Sequence, residues 1–397
     1  MSSWSRLFSW FKKLSPTSTD IYNTWTRQQL IDRLRVLEST TVNKNNRVKK
    51  PFNMNKYPQH RVALKVAYLG WNYLGFASQK ETDQTVEGQL FKALEYCKLI
   101  QDPTSCDFTR CGRTDKGVSG LGQVVALNVR QSSGKDRPIP YVETLNALLP
   151  QDIRVLAWSP VSPGFNARFD CISRTYRYMF LKQDLDVDAM QKAANYMIGS
   201  HDFRNFCKLD PSKQQSYNRH ILSIDIVPCQ QHYQVVIKGT AFLWHQVRCI
   251  MSVLFLVGQR LERPEIVLDL LDIDKVNAKP DYPLASDLPL LLYDCEFEKG
   301  QLDWQYGLRP QRLQQHWNEL WYDQTVRSWL YQTFLEDLSE KPSVYTPKPT
   351  STIVLGAGKV IRTTKYRPLL ERARADSEQI KREKYQAKLQ RKQSPID

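Results

Sequence analysis

The chain has 397 residues, 41% of them hydrophobic and 24% charged, which excludes a fibrous or wholly disordered protein and allows about two ordinary domains with extensions. Its formal charge of +15 points to a polyanionic partner. The excess is confined to the two ends: residues 1–60 hold 11 Lys/Arg against 3 Asp/Glu and residues 341–397 hold 14 against 5, while the residues between hold 31 against 33. That excludes a uniformly cationic surface and favours a near-neutral body with basic arms.

In the first 15 residues, Trp4, Leu7, Phe8, Phe11 and Leu14 share one helical face, with Arg6, Lys12, Lys13 and several serines elsewhere. This composition suits a mitochondrial targeting segment, a membrane-surface helix or a helix docked on the protein's own body; the expected location is cytoplasm and nucleus. Thr26-x-x-Gln29 reads as a capping box opening a short helix to about Glu38, and polar, basic chain follows to about Gln59. The organisation expected is a basic N-terminal extension over 1–60, a first α/β half over 61–165, a second over 166–300 and a helical, basic extension over 301–397.

The first half predicts a strand at Val62–Leu69, an amphipathic helix at Thr85–Ile100, strands at Asp107–Cys111 and Gln123–Val129, a helix at Pro140–Leu149 and a strand at Ile153–Trp158. The second repeats that order: strand Ser173–Leu181, helix Val187–Ile198, strands Ile221–Val227 and Tyr233–Ala241, an apolar helix Trp244–Val257 extended by Pro264–Leu271, and strand Leu288–Phe297. The fold class read from this is α+β, with two β-α-β-β-α-β (ferredoxin-like) halves whose mainly antiparallel sheets flank a cleft. Helices on one side would leave the other side free for a large ligand. Beyond Gly300, Leu302–Glu340 reads as helix, Thr346–Thr364 as loop, and Arg367–Lys392 as a charged helix or a disordered tail. The apolar run Ile250–Val257 is broken by Ser252 and is too short to span a bilayer, so no transmembrane segment is expected. The eight cysteines show no Cys-x-x-Cys pair, which predicts reduced thiols and no readable zinc site.

Three stretches carry chemistry. In Cys111-Gly112-Arg113-Thr114-Asp115-Lys116-Gly117-Val118 one carboxylate stands between two cations on a glycine-bounded loop. Neighbouring positive charge predicts a low pKa for Asp115, suited to a nucleophile or an ion-pair partner; an ordinary surface turn is the alternative, since Asp and Gly are common turn residues. In Arg174-Thr175-Tyr176-Arg177-Tyr178, period two puts Arg174, Tyr176 and Tyr178 on one sheet face, a surface for stacking a nucleobase or an ordinary cross-strand packing pair. In Phe242-Leu243-Trp244-His245-Gln246-Val247-Arg248, Arg248 precedes an apolar run. A buried guanidinium needs a partner, and Asp115 is the expected one; alternatively Arg248 reaches the surface along its own stem. His245 reads as a structural or RNA-facing residue rather than a metal ligand. His201-Asp202-Phe203-Arg204-Asn205-Phe206 reads equally as an RNA contact or a packed loop.

With Phe165-Asn166-Ala167-Arg168-Phe169, these motifs resemble, in order and spacing across residues 61–297, the TruA family of tRNA pseudouridine synthases. Lys116-Gly117-Val118-Ser119 and Phe76-Ala77-Ser78-Gln79 are similar to the eukaryotic branch acting on uridines 38 and 39 of the anticodon stem-loop, although Gly120-Leu121 departs from that branch's small-aromatic pair. The resemblance implies a tRNA pseudouridine synthase with Asp115 as nucleophile at ribose C1′ or the uracil ring, and Arg248 paired to it. It implies Tyr176 stacked on the flipped uracil and aiding proton removal from C5, with Arg113 filling the vacated place in the stem. Lys116, Arg168 and Arg174 would bind substrate. It also implies no cofactor, no metal, tRNA as partner and a homodimer.

Overall fold

The computed structural model describes residues 25–34, 52–132, 138–212, 215–230, 232–339 and 351–393. The amphipathic segment of residues 1–15 and the linker from about residue 39 to 51 lie outside the described residues. Residues 1–53 and 54–397 form separate compact units. In the first, residues 27–34 are helical. The capping box is made: the Gln29 N–H donates to Thr26 Oγ1 at 3.3 Å and the Thr26 N–H to Gln29 Oε1 at 2.8 Å.

The second unit carries β1 (Gln59–Tyr68), α1 (Val86–Tyr96), β2 (Thr109–Arg110), β3 (Ser119–Arg130), α2 (Tyr141–Asn146) and β4 (Ile153–Pro160). Then come β5 (Cys171–Phe180), α3 (Val187–Asn195), β6 (Gly199–Asp202), β7 (Asn218–Cys229), β8 (His232–Gly239), α4 (Gln246–Gly258), α5 (Ile266–Leu271) and β9 (Leu290–Phe297). It closes with β10 (Gln305–Tyr306), α6 (Pro310–Ser339), β11 (Ser351–Val354), β12 (Val360–Thr363) and α7 (Glu378–Gln393). The result is a mixed α+β structure on one large, mostly antiparallel sheet.

That sheet has ten strands in the order β10-β4-β1-β3-β9-β5-β8-β7-β6, with β2 on β3. The halves therefore do not present two separate sheets to a cleft. They join edge to edge through a short parallel pairing, Ser119 with Leu291 and Gly120 with Leu292. Glycine makes the joint possible: a Cβ on Gly122 would lie 2.5 Å from the Tyr293 carbonyl oxygen, closer than any side chain tolerates. Within each half these neighbouring strands are antiparallel, β1 with β3 and β4, β5 with β8 and β9.

Alternation along the strands builds the cores. Leu64, Val66, Val125 and Leu127 pack with Leu90 and Leu94 of α1. Tyr178, Val235 and Ile237 pack with nearly the whole of α4, which is apolar all round because it is covered all round. A smaller cluster of Ala63, Cys111, Val124, Ala126, Cys171, Leu292 and Cys295 fills the seam between the halves.

The C-terminal extension differs from expectation. The stretch read as loop forms the β11–β12 hairpin. Ile353 and Leu369 are buried in the core built on α4, Tyr178 donates its hydroxyl proton to Leu355 O at 3.3 Å, and the Ser286 N–H donates to Leu355 O at 2.7 Å. Local patterning missed this because the hairpin owes its burial to partners distant in sequence, from Tyr178 and α4 to Ser286. Of the helix expected over 302–340, Pro310–Ser339 form α6, which buries none of its residues, while Gln305–Tyr306 form β10.

Candidate active site

Asp115 sits on the loop between β2 and β3, and that loop is braced from several sides. The Gln123 side chain holds Gly112 like a neighbouring strand, accepting from its N–H at 3.2 Å and donating to its carbonyl at 2.8 Å. Tyr68 Oη lies 2.8 Å from Thr114 Oγ1, the Phe76 N–H donates to Thr114 O at 3.1 Å, and the Val118 N–H donates back to Asp115 O at 3.2 Å. Gly117 turns the chain at φ +80°, where a Cβ would be strained and would also meet Asp287 Oδ2 at 2.1 Å. Arg113 and Lys116 point outward and are exposed.

From the second half, the turn into α4 arrives over the carboxylate. His245 stands at the N-cap with φ 62°, a left-handed conformation that costs a β-carbon-bearing residue roughly 1–2 kcal/mol. Its Nε2 lies 3.7 Å from Asp115 Oδ2. Burial first, then the charges of Arg248, Lys208 and Lys279, lower its pKa to about 4, so at neutral pH this contact is not an ion pair. Trp244 directs its indole N–H toward Asp115 and stacks its ring under Lys208 Nζ, 4.2 Å from the centroid.

The expected bidentate Asp115–Arg248 pair is not formed. Arg248 donates from Nε to Ala285 O at 2.8 Å, and its Nη2 lies 3.7 Å from Asp287 Oδ1. Lys359, from the C-terminal hairpin, stands 3.8 Å from the same Asp287 oxygen. Arg248 therefore acts on Asp115 through its field. Nor does Asp115 have the low pKa that its sequence neighbours suggest. Burial raises it to about 6, against the opposing pull of Arg248, Trp244 and Lys208. Arg113 and Lys116, adjacent in sequence, face water and are not among the largest of those influences.

Tyr176 lies beside this group. Its ring meets Phe242 edge-on at 5.0 Å between centroids, and burial pushes its hydroxyl pKa well above the usual value. Tyr178 shares the face but offers no stacking surface, being packed edge-on against Phe255 of α4 at 5.9 Å. Arg174 is committed to the backbone. Its two terminal nitrogens donate to Cys171 O at 3.1 Å, Thr240 O at 2.7 Å, Cys111 O at 3.2 Å and Arg168 O at 2.8 Å. It ties the segment before the Asp115 loop to the segment before α4, and so helps position the site. Arg168 is exposed and covers the Phe169 ring at 5.5 Å, with Phe169 itself 77% exposed.

The structure thus gathers Asp115, Tyr176 and Arg248 and adds Trp244, His245, Lys208 and Asp287. Trp244 and His245 lie in the Phe242–Arg248 stretch that the sequence already marks. Asp287 had no sequence signal, since it precedes β9 in irregular chain. The loop His201–Phe206 divides: Phe203, Asn205 and Phe206 are buried, and Arg204 is held by Asp202 at 2.8 Å, which is the packed-loop alternative. Cys111, Cys171 and Cys295, separated widely in sequence, bring three buried thiols together among the described residues.

A family profile described as tRNA pseudouridine synthase matches residues 193–298. A Saccharomyces cerevisiae protein named tRNA pseudouridine(38/39) synthase is 45% identical over 325 residues, covering 72% of this chain and 73% of its own length. A human protein of the same name is 38% identical over 376 residues, covering 82% of this chain and 76% of its own. A Methanosarcina acetivorans protein named tRNA pseudouridine synthase A is 36% identical over 258 residues, covering 64% of this chain and 92% of its own.

Proposed function

This chain belongs to the TruA-type tRNA pseudouridine synthases, enzymes that isomerise uridine to pseudouridine, and from that premise we propose that it acts on uridines 38 and 39 of the tRNA anticodon stem-loop with Asp115 as nucleophile. The relatives' names support the positions. One observation carries the site: the only carboxylate on the braced glycine loop is covered by the turn into α4 and lies within the field of Arg248.

In this reading the everted uridine enters beside Tyr176. The Asp115 carboxylate attacks ribose C1′, or in the alternative the uracil ring, and the N1–C1′ bond breaks. The base turns, C5 bonds to C1′, the carboxylate is released, the C5 proton leaves to solvent or a nearby base, and N1, freed from the ribose, takes up one proton in its place. Atoms and electrons balance within the nucleotide, so the step draws on no cofactor. Arg248 holds Asp115 ionised against burial. Tyr176, whose hydroxyl stays protonated, packs against the base and donates a hydrogen bond; it is poorly suited to accept the C5 proton. Extracting a base from its stack costs a few kcal/mol, and exposed Arg113, Lys116 and Arg168 offset part of that through phosphate and base contacts.

The working unit we propose is a homodimer. α6 supports it: Trp321, Trp329, Tyr331, Phe334, Leu335 and Leu338 are each more than half exposed. The helix carries two Arg against four Asp/Glu, a charge balance that favours a protein surface over RNA.

Tritium release from tRNA labelled at uracil C5 tests the assignment. Asp115→Asn should abolish release while tRNA affinity stays within a fewfold of the parent. Turnover retained in that variant removes Asp115 as nucleophile.

A further inference from the structure

We propose that Cys111, Cys171 and Cys295 form a binding site for one soft, thiophilic d10 ion, Cu(I) or Zn(II), that staples the Asp115 loop to the second half of the sheet. Their three Sγ atoms lie within 4.8 Å of one another. Metal–sulfur bonds of about 2.3 Å place thiolates roughly 3.8 Å apart around a common ion, so closure asks for shifts well under the size of an atom.

The three residues come from different elements. Cys111 leaves β2 toward Asp115, Cys171 opens β5, and Cys295 lies in β9. All are at most 7% exposed. The walls are small or apolar, including Ala63, Ala126, Ala167 and Leu292, which excludes hard, oxygen-seeking cations such as Mg²⁺ or Ca²⁺ and selects soft ones.

Charge is also provided for. Three thiolates with a mono- or divalent ion leave a negative centre, and a buried negative centre needs a counter-charge. Arg174 supplies one, hydrogen-bonded to the carbonyls of Cys111 and Cys171. The competing explanation is three small hydrophobes packed together. That explanation predicts neither metal nor an effect of metal on stability.

Enclosure of the trio implies loading as the chain folds. The full-length protein would be expressed with added zinc or copper, purified without chelator under anaerobic reducing conditions, and assayed for metal by mass spectrometry. Cd²⁺ present during refolding serves as the optical probe, through its thiolate charge-transfer absorption. We expect close to one ion per chain, whichever metal is retained identifying the native occupant. Content should fall at least tenfold in Cys295→Ala and stay unchanged in Cys229→Ala. The metal-loaded parent should melt several degrees above its chelated form, and Cys295→Ala should show no such gap. Less than a tenth of an equivalent of either metal in the parent, together with no Cd²⁺ absorption, overturns the proposal, as does equal metal in the parent and Cys295→Ala. Should Cys295→Ala not fold, the parent's metal content and Cd²⁺ response decide alone. None of these readouts depends on isomerisation, so the assignment of Asp115 stands or falls separately.

Discussion

Asp115 holds its charge where burial resists it. Its pKa of about 6 in the folded chain, against 3.8 for the free side chain, means that folding favours the protonated form. The stabilising balance is fully present below pH ~4 and is lost as pH rises through about 6. Asp115→Asn removes a carboxylate that is uncomfortable at neutral pH, so it should raise stability by about 2 kcal/mol at pH 8 and by much less at pH 4. Thermal melts of both proteins at the two pH values check this; equal gains at both would mean that the carboxylate is not perturbed. Activity should run the opposite way, rising as pH increases through about 6 and then levelling, because Asp115, as the proposed nucleophile, must be ionised.

Arg174 illustrates a different residue-scale lesson. Sequence places it beside Tyr176 and suggests a substrate contact. Its four backbone acceptors show that the guanidinium fork joins segments that would otherwise drift apart. Arg174→Lys keeps the charge but supplies a single point donor, leaving carbonyls unmatched. A loss of about 3 kcal/mol or more is expected, with kcat falling more than KM rises. An unchanged melting temperature would return Arg174 to the substrate-binding set.

Among elements, what could be read from the chain followed a physical rule. Segments whose burial is set by their own period are legible: α1 by its apolar stripe, β1 and β5 by alternation, α4 by its nearly all-round apolar surface. Thr114 and Gln123, which brace the Asp115 loop, had no pattern to announce them. The β11–β12 hairpin was missed for the same reason that it matters. Its residues gain their meaning from α4, Tyr178 and Ser286 across a long sequence gap. Through that contact the extension reaches the surroundings of Asp115, since Lys359 shares Asp287 with Arg248. Removing Lys359 leaves Asp287 less compensated, and Asp287 raises the Asp115 pKa. Lys359→Ala should therefore move the acid limb of kcat/KM upward by a few tenths of a pH unit. A uniform fall in rate with no movement of the limb would reduce Lys359 to hairpin packing.

At the scale of the molecule, two uncovered features ask for partners. α6 is about 45 Å long with a row of exposed aromatics, and two copies related by a two-fold axis would cover the same patch on each. Trp329→Asp with Phe334→Asp should convert a dimer to a monomer in sedimentation. A parent that sediments as a monomer would leave α6 without a second copy. The other feature is positive charge at the C-terminus. Deleting residues 341–397 is the wrong way to test it, because that removes Ile353 and Leu369 from the core and should unfold the second half. Neutralising exposed Lys384, Lys388 and Arg391 on α7 to Gln leaves the core untouched. If α7 lies along the tRNA backbone, loss of three phosphate contacts should reduce the slope of log affinity against log salt by about 2–3, with melting temperature unchanged. A slope equal to the parent's would shift the electrostatic grip to Arg113, Lys116 and Arg168 around Asp115, where the same charge-to-Gln series would then lower the slope and turnover together.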